Sequence, residues 1–474
     1  MYFCIMKAPV KRGDLLENKL VEELGSEGQG ILRLDNFVIF IESGVPGDRA
    51  DIMIRMVKKN YAVGSIHKLH SSSHLRTPPQ CEHFGTCGGC KMQHIDYGRQ
   101  LLLKQTAVKD AFERIGKLDF PNLEEVVAGP EIYGYRNRLD YACSNKRWMT
   151  TEEIASGIPV SDPALGFHVP GRFDKVIDIK KCHLQPDLTN SIRNEIKRFA
   201  IENEWTFFNP TSQEGFLRNI IIRNSSVNEW MVIVVFKEND DQKINLLLHH
   251  LGNIFPEITS LLYIVNDKRN DTIFDRDVIC FKGRDHIFEE MEGLRFKISA
   301  KSFYQTNSKQ AEKLYNIARS FAGLTGKENV YDLYTGTGTI ALFVASHAKH
   351  VAGIDYIEDA ILDARDNAAR NGINNVSFQA GDLKETLNED FITKFGTPDV
   401  IITDPPRSGM HPDVVAKLNF LNASRIVYVS CNPSTQARDL QMMTEKYQII
   451  KVQPVDMFPH TTHIENVTLL ERRN

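Results

Sequence analysis

The sequence predicts a multidomain protein in three parts: an N-terminal small β-barrel of OB-like type, a central mainly β domain, and a C-terminal α/β domain of Rossmann-like design. Three observations carry this. Short β-type runs alternate with glycine turns from Asp14 to Ser71. Three cysteines then fall within ten residues, at Cys81, Cys87 and Cys90. From about Ser302 onward, strand-like apolar runs alternate with helical stretches, as in a doubly wound sheet. A length of 474 residues suits about three domains, and the expected divisions are residues 1–75, 76–300 and 301–474.

Composition narrows the function classes. With 42% hydrophobic and 25% charged residues the chain has enough apolar surface for real cores. Its 57 Lys and Arg against 61 Asp and Glu leave a net charge of −4, which excludes a polybasic-tail binder but not a local basic face. The densest apolar runs, Val38–Ile41 and Met231–Phe236, fall far short of the ~20 residues of a membrane span. The stretch Met1 to Lys7 is too short for a signal-peptide apolar region. A cytoplasmic protein without a membrane partner is therefore expected, and its eight cysteines are read as thiols, metal ligands or nucleophiles rather than disulfides.

In the barrel region, Val38–Ile41 and Asp51–Val57 read as strands, with turns at residues 25–30 and 45–48. Between Asp51 and Arg76 lie five basic residues (Arg55, Lys58, Lys59, Lys68, Arg76) and one acid, Asp51. A helix is expected from Tyr97 to Ile115, packing on the last domain. From Ile132 to about Lys297 the pattern is mostly strand-like, with Ile220–Ile222 and Met231–Phe236 as buried strands. Tyr133, Tyr135, Arg136, Arg138 and Tyr141 interleave aromatics with arginines, which fits either base stacking or a strand with buried tyrosines. Strands follow at Val330–Leu333, Val351–Asp355, Val376–Ala380, Val400–Thr403 and Ile426–Ser430.

The cysteines Cys81-x5-Cys87-x2-Cys90 sit among Gly85, Gly88 and Gly89, which allow a tight wrap, and Cys182 can supply a fourth ligand. Four thiolates suit tetrahedral zinc and a [4Fe–4S] cluster equally well on geometry. Three close ligands and one distant favour iron–sulfur. The x5 gap departs from the x3 and x2 spacing of radical enzymes that leave one iron open, so a fully ligated structural cluster is expected. His83 and His94 read as ordinary loop residues.

In the last domain, Asp332-Leu333-Tyr334-Thr335-Gly336-Thr337-Gly338-Thr339 follows a strand and opens a helix, where small residues let a ligand approach the backbone. Asp355 ends the next strand and can accept both ribose hydroxyls of an adenosine. Gly336-x-Gly338-x-x-Ala341 also satisfies the loose dinucleotide fingerprint, which keeps a dehydrogenase in view. Asp382 is placed for an adenine amino group. Thr403-Asp404-Pro405-Pro406-Arg407 presents a fixed carboxylate to a flat polar substrate. Cys431 stands just past a buried strand on the same sheet edge, and His463-x-Glu465 brings a carboxylate suited to act as general base. One nucleophile and one base are what C5 methylation of uracil requires, because a thiolate added at C6 activates C5 and a base must then remove the C5 proton.

Taken in order, the cysteines, Phe303-Tyr304-Gln305-x-Asn307, the glycine loop, Asp-Pro-Pro-Arg, Ser-Cys-Asn-Pro and His-x-Glu-Asn-Val resemble the RNA uracil-C5 methyltransferases that carry an N-terminal TRAM domain, specifically the iron–sulfur type acting on 23S ribosomal RNA. The resemblance implies a methyltransferase fold for the last domain, S-adenosyl-L-methionine as cofactor, and a [4Fe–4S] cluster on Cys81, Cys87, Cys90 and Cys182. It implies Cys431 as nucleophile and Glu465 as proton acceptor, with Gln305, Tyr334, Gly336, Thr339, Asp355, Asp382 and Asp404 lining the cofactor and uracil pocket. Thr335 departs from the family, many members having cysteine there. The partner implied is 23S ribosomal RNA presenting a uridine in a loop or flipped out, bound by a monomer. Transfer RNA is the alternative substrate, although members acting on it usually lack the cysteines. A non-catalytic RNA-binding assembly factor is the alternative from another class, and intact Cys431 and Glu465 argue against it. A DNA cytosine-C5 enzyme would place Pro before the cysteine, where this chain has Ser430.

Overall fold

Alternation of buried and open positions dictates the first strands. In β5 (Arg49–Val57), Ala50, Ile52 and Ile54 are buried while their neighbours face outward. The computed structural model of the chain describes residues 8–25, 27–157 and 161–473, and Ser26 of the expected 25–30 turn lies outside them. The chain divides into two units, Met1–Ala107 with Phe458–His463 and Val108–Met457 with Ile464–Asn474.

The first unit holds a six-stranded sheet built from β1 (Leu15–Leu20), β2 (Glu23–Leu24), β3 (Gly30–Leu34), β4 (Phe37–Glu42), β5 and β6 (Tyr61–Ser71). The order is β1-β5-β6-β4-β3-β2, and only β4 and β6 run parallel. Val21, Leu32, Ile39, Ile41, Ile52, Ile54 and Ala62 form its core. Arg76, the last cation of the basic run, is not available to a nucleic acid. Its guanidinium lies 2.5 Å from the wholly buried Asp48, which also accepts the N–H of Val45 and of Ser73.

Helix α1 (Tyr97–Asp110) continues as a π-helical turn, Ala111–Gly116, rather than as α-helix to Ile115. The widened turn ends on Gly116, where a Cβ would lie 2.9 Å from the Ala437 carbonyl, and Lys117 adopts a left-handed φ of 47°. Val108, Ala111 and Phe112 of this stretch join the core of the C-terminal sheet.

In the second unit, one seven-stranded sheet comprises β7 (Arg138–Ser144), β8 (Ala164–Val169), β9 (Arg172–Asp178), β10 (Leu217–Asn224), β11 (Trp230–Phe236), β12 (Ile258–Val265) and β13 (Ile279–Gly283). Its order is β13-β12-β11-β10-β7-β8-β9, and β11 is buried along its whole length. Three helices interrupt a region that reads as strands: α2 (Thr151–Ser156), α3 (Asp187–Glu202) and α4 (Asp241–Ile254). Ile192, Ile196 and Phe199 of α3, and Ile244, Leu247, Leu248 and Leu251 of α4, form buried stripes at helical spacing. A hairpin, β14 (His286–Met291) and β15 (Leu294–Ser299), follows. Tyr135 and Tyr141 belong to the core, Tyr141 stacking on Phe167 with ring centroids 5.0 Å apart, which removes both from any base-stacking role.

The other seven-stranded sheet is built from β16 (Asn329–Leu333), β17 (His350–Asp355), β18 (Val376–Ala380), β19 (Val400–Thr403), β20 (Arg425–Ser430), β21 (Tyr447–Val455) and β22 (Glu465–Arg472). The order β18-β17-β16-β19-β20-β22-β21 is parallel through the first five strands, with β22 antiparallel to both of its neighbours. The accompanying helices are α5 (Ser308–Ala322), α6 (Thr339–Ala345), α7 (Glu358–Arg370), α8 (Leu383–Thr386), α9 (Glu389–Phe395), α10 (Pro412–Leu421) and α11 (Pro433–Gln441). β-Branched runs bounded by Gly, Asp and Pro make these strands, which is why their extents follow the sequence pattern closely. Among the described residues, no helix is long and apolar enough to cross a membrane.

Candidate active site

Strand order reverses between β16 and β19, and open α/β sheets bind ligands at such a switch point, outside the carboxyl ends of the strands. Tyr334 and Gly336 follow β16, Asp355 ends β17, Asp382 follows β18, Asp404 follows β19 and Cys431 follows β20. The antiparallel β22 begins with Glu465 at the same edge.

The first part of the site is the loop between β16 and α6. Tyr334, Gly336 and Gly338 take left-handed φ values of 63°, 54° and 79°, which turn the chain sharply out of the sheet. A Cβ on Gly336 would meet nothing within 4 Å, so the backbone there is open to a close-lying ligand. The Gly336 and Ile357 amides each donate to one oxygen of Asp355 at 2.9 Å, fixing its carboxylate at the strand end. Asp382 accepts the Lys384 N–H at 2.9 Å, and that amide, with the Lys384 ammonium 3.3 Å away, holds the carboxyl below its ordinary range. Thr339 is buried in the first turn of α6, with its hydroxyl 3.4 Å from that of Thr337.

Beneath this loop lies Asp332, wholly buried. Its Oδ2 accepts the Thr335 hydroxyl at 2.5 Å and the Ala341 N–H at 3.0 Å, so the threonine that departs from the family pattern has a structural partner. Burial pushes the Asp332 carboxyl up to about 7, the Asp355 charge adds to the rise, and the two hydrogen bonds oppose it. A carboxyl whose folded pKa is raised favours the native state below its unfolded value of 3.8, and that contribution disappears as pH rises through about 7. The interval corresponds to about 4 kcal/mol. We therefore expect Asp332→Asn, which keeps an acceptor for Thr335 and Ala341, to lose less thermal stability than the wild type between pH 5 and pH 8. Parallel melting curves for the two proteins would refute this.

The second part of the site brings Asp404, Arg407, Cys431 and Glu465 within electrostatic reach of one another. Strand register places Ser430 opposite Asn466, so Cys431 and Glu465 are the next facing positions at the end of the β20–β22 pair. Glu465 is 5% exposed, and burial, reinforced by Asp404 and opposed by Arg407, raises its carboxyl well above the ordinary range. Burial also raises Asp404, with Asp332 adding to the effect. The half-buried Cys431 thiol is pushed up to about 11 by burial, then by Glu465 and Asp404, against the pull of Arg407. Burial and the neighbouring carboxyls thus favour the protonated form of both groups, and each is a stronger base once its proton leaves.

Gln305 joins this group through Tyr315, which its side chain hydrogen-bonds. Its carbonyl accepts from Asn137 Nδ2 at 2.8 Å. Burial, and the nearby Asp404, Asp332 and Glu465, hold the Tyr315 hydroxyl protonated. The sequence alone gives no role to Tyr315 or Asp332. Asp332 lies inside the glycine-loop motif and was open to notice as a buried strand-end acid, whereas Tyr315 sits mid-helix in α5 without any motif.

The cysteines expected to bind metal occupy different settings. Cys81, Cys87 and Cys90 share an irregular loop of the first unit, half-buried, and the Gly89 N–H points at Cys87 Sγ from 3.4 Å. Cys182 belongs to the second unit and is buried, its backbone N–H and carbonyl both bonded to the Asn190 side chain, at 2.8 and 3.0 Å. Among the described residues, no group of three or more His, Cys, Asp or Glu is gathered as a metal site.

The tRNA (uracil-5-)-methyltransferase family pattern matches residues 228–473, and the TRAM domain pattern matches residues 20–66. An uncharacterized RNA methyltransferase of Bacteroides thetaiotaomicron is 54% identical over 454 residues, covering 95% of this chain and 100% of that protein. A second, from Porphyromonas gingivalis, is 49% identical over 460 residues, covering 95% and 99%. The crystal structure of Pyrococcus abyssi tRNA (uracil-54, C5)-methyltransferase in complex with S-adenosyl-L-homocysteine superposes with a TM-score of 0.74 at 31% identity, covering 96% of this chain and 100% of that one. With its TRAM domain, its switch-point loop and its C-terminal methyltransferase fold, the chain belongs to the S-adenosylmethionine-dependent RNA uracil-C5 methyltransferase family.

Proposed function

We propose that this enzyme methylates C5 of a uridine in 23S ribosomal RNA, with Cys431 as nucleophile and Glu465 as base. The observation that carries the reading is the facing placement of Cys431 and Glu465 at the carboxyl edge of the sheet, beside Asp404 and Arg407. S-adenosylmethionine supplies an electrophilic methyl group. The open backbone at Gly336 and the fixed carboxylates of Asp355 and Asp382 fit its nucleoside part, and we assign Gln305, Tyr334, Thr339 and Asp404 to the lining of the same pocket.

Uracil C5 is too weak a carbon nucleophile to take a methyl group unaided. Cys431, having lost its proton, adds to C6, and the electron pair displaced toward O4 makes C5 enolate-like. C5 bonds to the methyl carbon as the methyl–sulfonium bond breaks. Glu465 as carboxylate then takes the C5 proton, and the C6–S bond breaks to return the thiolate and 5-methyluridine. We assign Asp404, just after β19, to hold the polar edge of the uracil ring.

The four cysteines support the ribosomal substrate and a [4Fe–4S] cluster held by Cys81, Cys87, Cys90 and Cys182. The Gly89 amide aimed at Cys87 is the kind of donor that stabilises a ligating thiolate. Bound there, the cluster would fix the irregular loop by thiolate ligation. Anaerobically purified protein is expected to be brown, absorbing near ~400 nm with iron and sulfide in equal amounts. Colourless protein carrying stoichiometric zinc would overturn the cluster. Transfer RNA is the second reading, favoured by the Pyrococcus abyssi structure. Labelled S-adenosylmethionine, offered with unmodified ribosomal RNA and transfer RNA in separate reactions and followed by nucleoside analysis, decides between them. Label in 5-methyluridine from ribosomal RNA supports the proposal, and label from transfer RNA alone replaces it.

A further inference from the structure

We infer that Arg438 and Asp439 are positioning residues that clamp the Asp-Pro-Pro-Arg loop onto helix α11 and so hold the Arg407 backbone against the turn that follows Cys431. This rests on Cys431 being the nucleophile. Asp439 is wholly buried. Its Oδ2 accepts the Met410 N–H and the Tyr428 hydroxyl, each at 2.7 Å, and its Oδ1 accepts Arg438 Nε at 2.9 Å and Nη2 at 2.6 Å. Arg438 Nη2 also donates to the carbonyls of Ser408 at 2.9 Å and Met410 at 3.2 Å. Two further bonds reach the Arg407 carbonyl, from Asn432 Nδ2 at 3.0 Å and Thr435 Oγ1 at 3.2 Å. Gly409 closes the fit. It sits at φ +76°, and a Cβ there would stand 2.6 Å from both Arg438 Nη2 and Asp439 Oδ2.

Apart from the Tyr428 bond, which comes from β20, and the Arg438–Asp439 pair within α11, these bonds run between residues 407–410 and the segment beginning at Asn432, one residue after Cys431. The loop they grip carries the cation of the site. Three charged groups act on the Cys431 thiol: Glu465 from β22, and Asp404 and Arg407 from the loop, of which Arg407 alone favours the thiolate. Loosening the clamp, whose bonds grip only residues 407–410, lets Arg407 move away, while Glu465 on a separate strand and Asp404, whose N–H donates to the Leu333 carbonyl at 3.3 Å, remain. The thiolate is then disfavoured without any change to Cys431 itself.

The test is the pH profile of Cys431 alkylation by iodoacetamide, read by peptide mass spectrometry on the full chain, with the exposed Cys280 as internal control. Arg438→Met is the main variant, because the Arg438 side chain is 46% exposed and methionine keeps much of its aliphatic length while removing the guanidinium. It is expected to slow Cys431 alkylation at neutral pH by about tenfold and move the profile upward, with Cys280 unchanged. Arg438→Lys should restore part of the rate, and Asp439→Asn, where it folds, should match Arg438→Met. A folded Arg438→Met protein whose Cys431 profile superposes on the wild type overturns the inference, as does equal slowing at Cys280. If Cys431→Ala abolishes methylation while the Arg438→Met profile is unchanged, the clamp alone is refuted. If Cys431→Ala remains active, the nucleophile assignment fails independently.

Discussion

Cys431→Ala is expected to lower methyl transfer to RNA by about 10⁴-fold or more, with S-adenosylmethionine binding retained. No other group in the site can replace it, since Glu465 and Asp404 are carboxyls and Tyr315 is held protonated by burial and three nearby acids. Alanine leaves C5 of uracil unactivated, so the methyl acceptor is missing even when both substrates are bound. The half-buried position also makes the change mild for folding. Labelled methyl transfer and cofactor binding, measured side by side, check both halves of this expectation. Turnover within tenfold of wild type would rule out covalent catalysis by Cys431.

Glu465→Gln gives the second large effect, of a different kind. The amide has the shape of the acid but cannot take the C5 proton. Addition of Cys431 and methylation of C5 still proceed, and elimination stalls. The expected product is a covalent protein–RNA species that survives denaturation and runs as a retarded band, with release of 5-methyluridine lost. Glu465 suits this role because burial and Asp404 make its carboxylate strongly basic, while Arg407 keeps the ionised form within reach. Free turnover by this variant with no retarded band would assign the base elsewhere.

Much of this site is legible in the sequence, for physical reasons. Switch-point residues follow β-branched strands, and the glycines, the Asp-Pro-Pro turn and the lone cysteine after β20 are local signals that need no tertiary contact to read. Asp439 illustrates the opposite case. Its role lies in bonds to Met410 and Tyr428, 29 and 11 residues away, and nothing near position 439 announces them. The buried Arg218 is similar, spending its guanidinium on the carbonyls of Asn266, Lys268 and Asn270. Helices α3 and α4 were hidden because long β-branched runs on either side dominate the local pattern. In the same way, Tyr141 looks like an RNA-stacking residue until Phe167 and Arg193 are seen packed on it.

The central claim, that Cys431 bonds to a uridine and Glu465 releases it, is tested most directly by mass spectrometry of the species trapped with Glu465→Gln. The adduct would be formed with S-adenosylmethionine and ribosomal RNA, digested with nuclease and protease, and its modified peptide sequenced. The account predicts a methylated uridine on the peptide that contains Cys431. A nucleotide on any other residue, or a bound uridine without the methyl group, would contradict it.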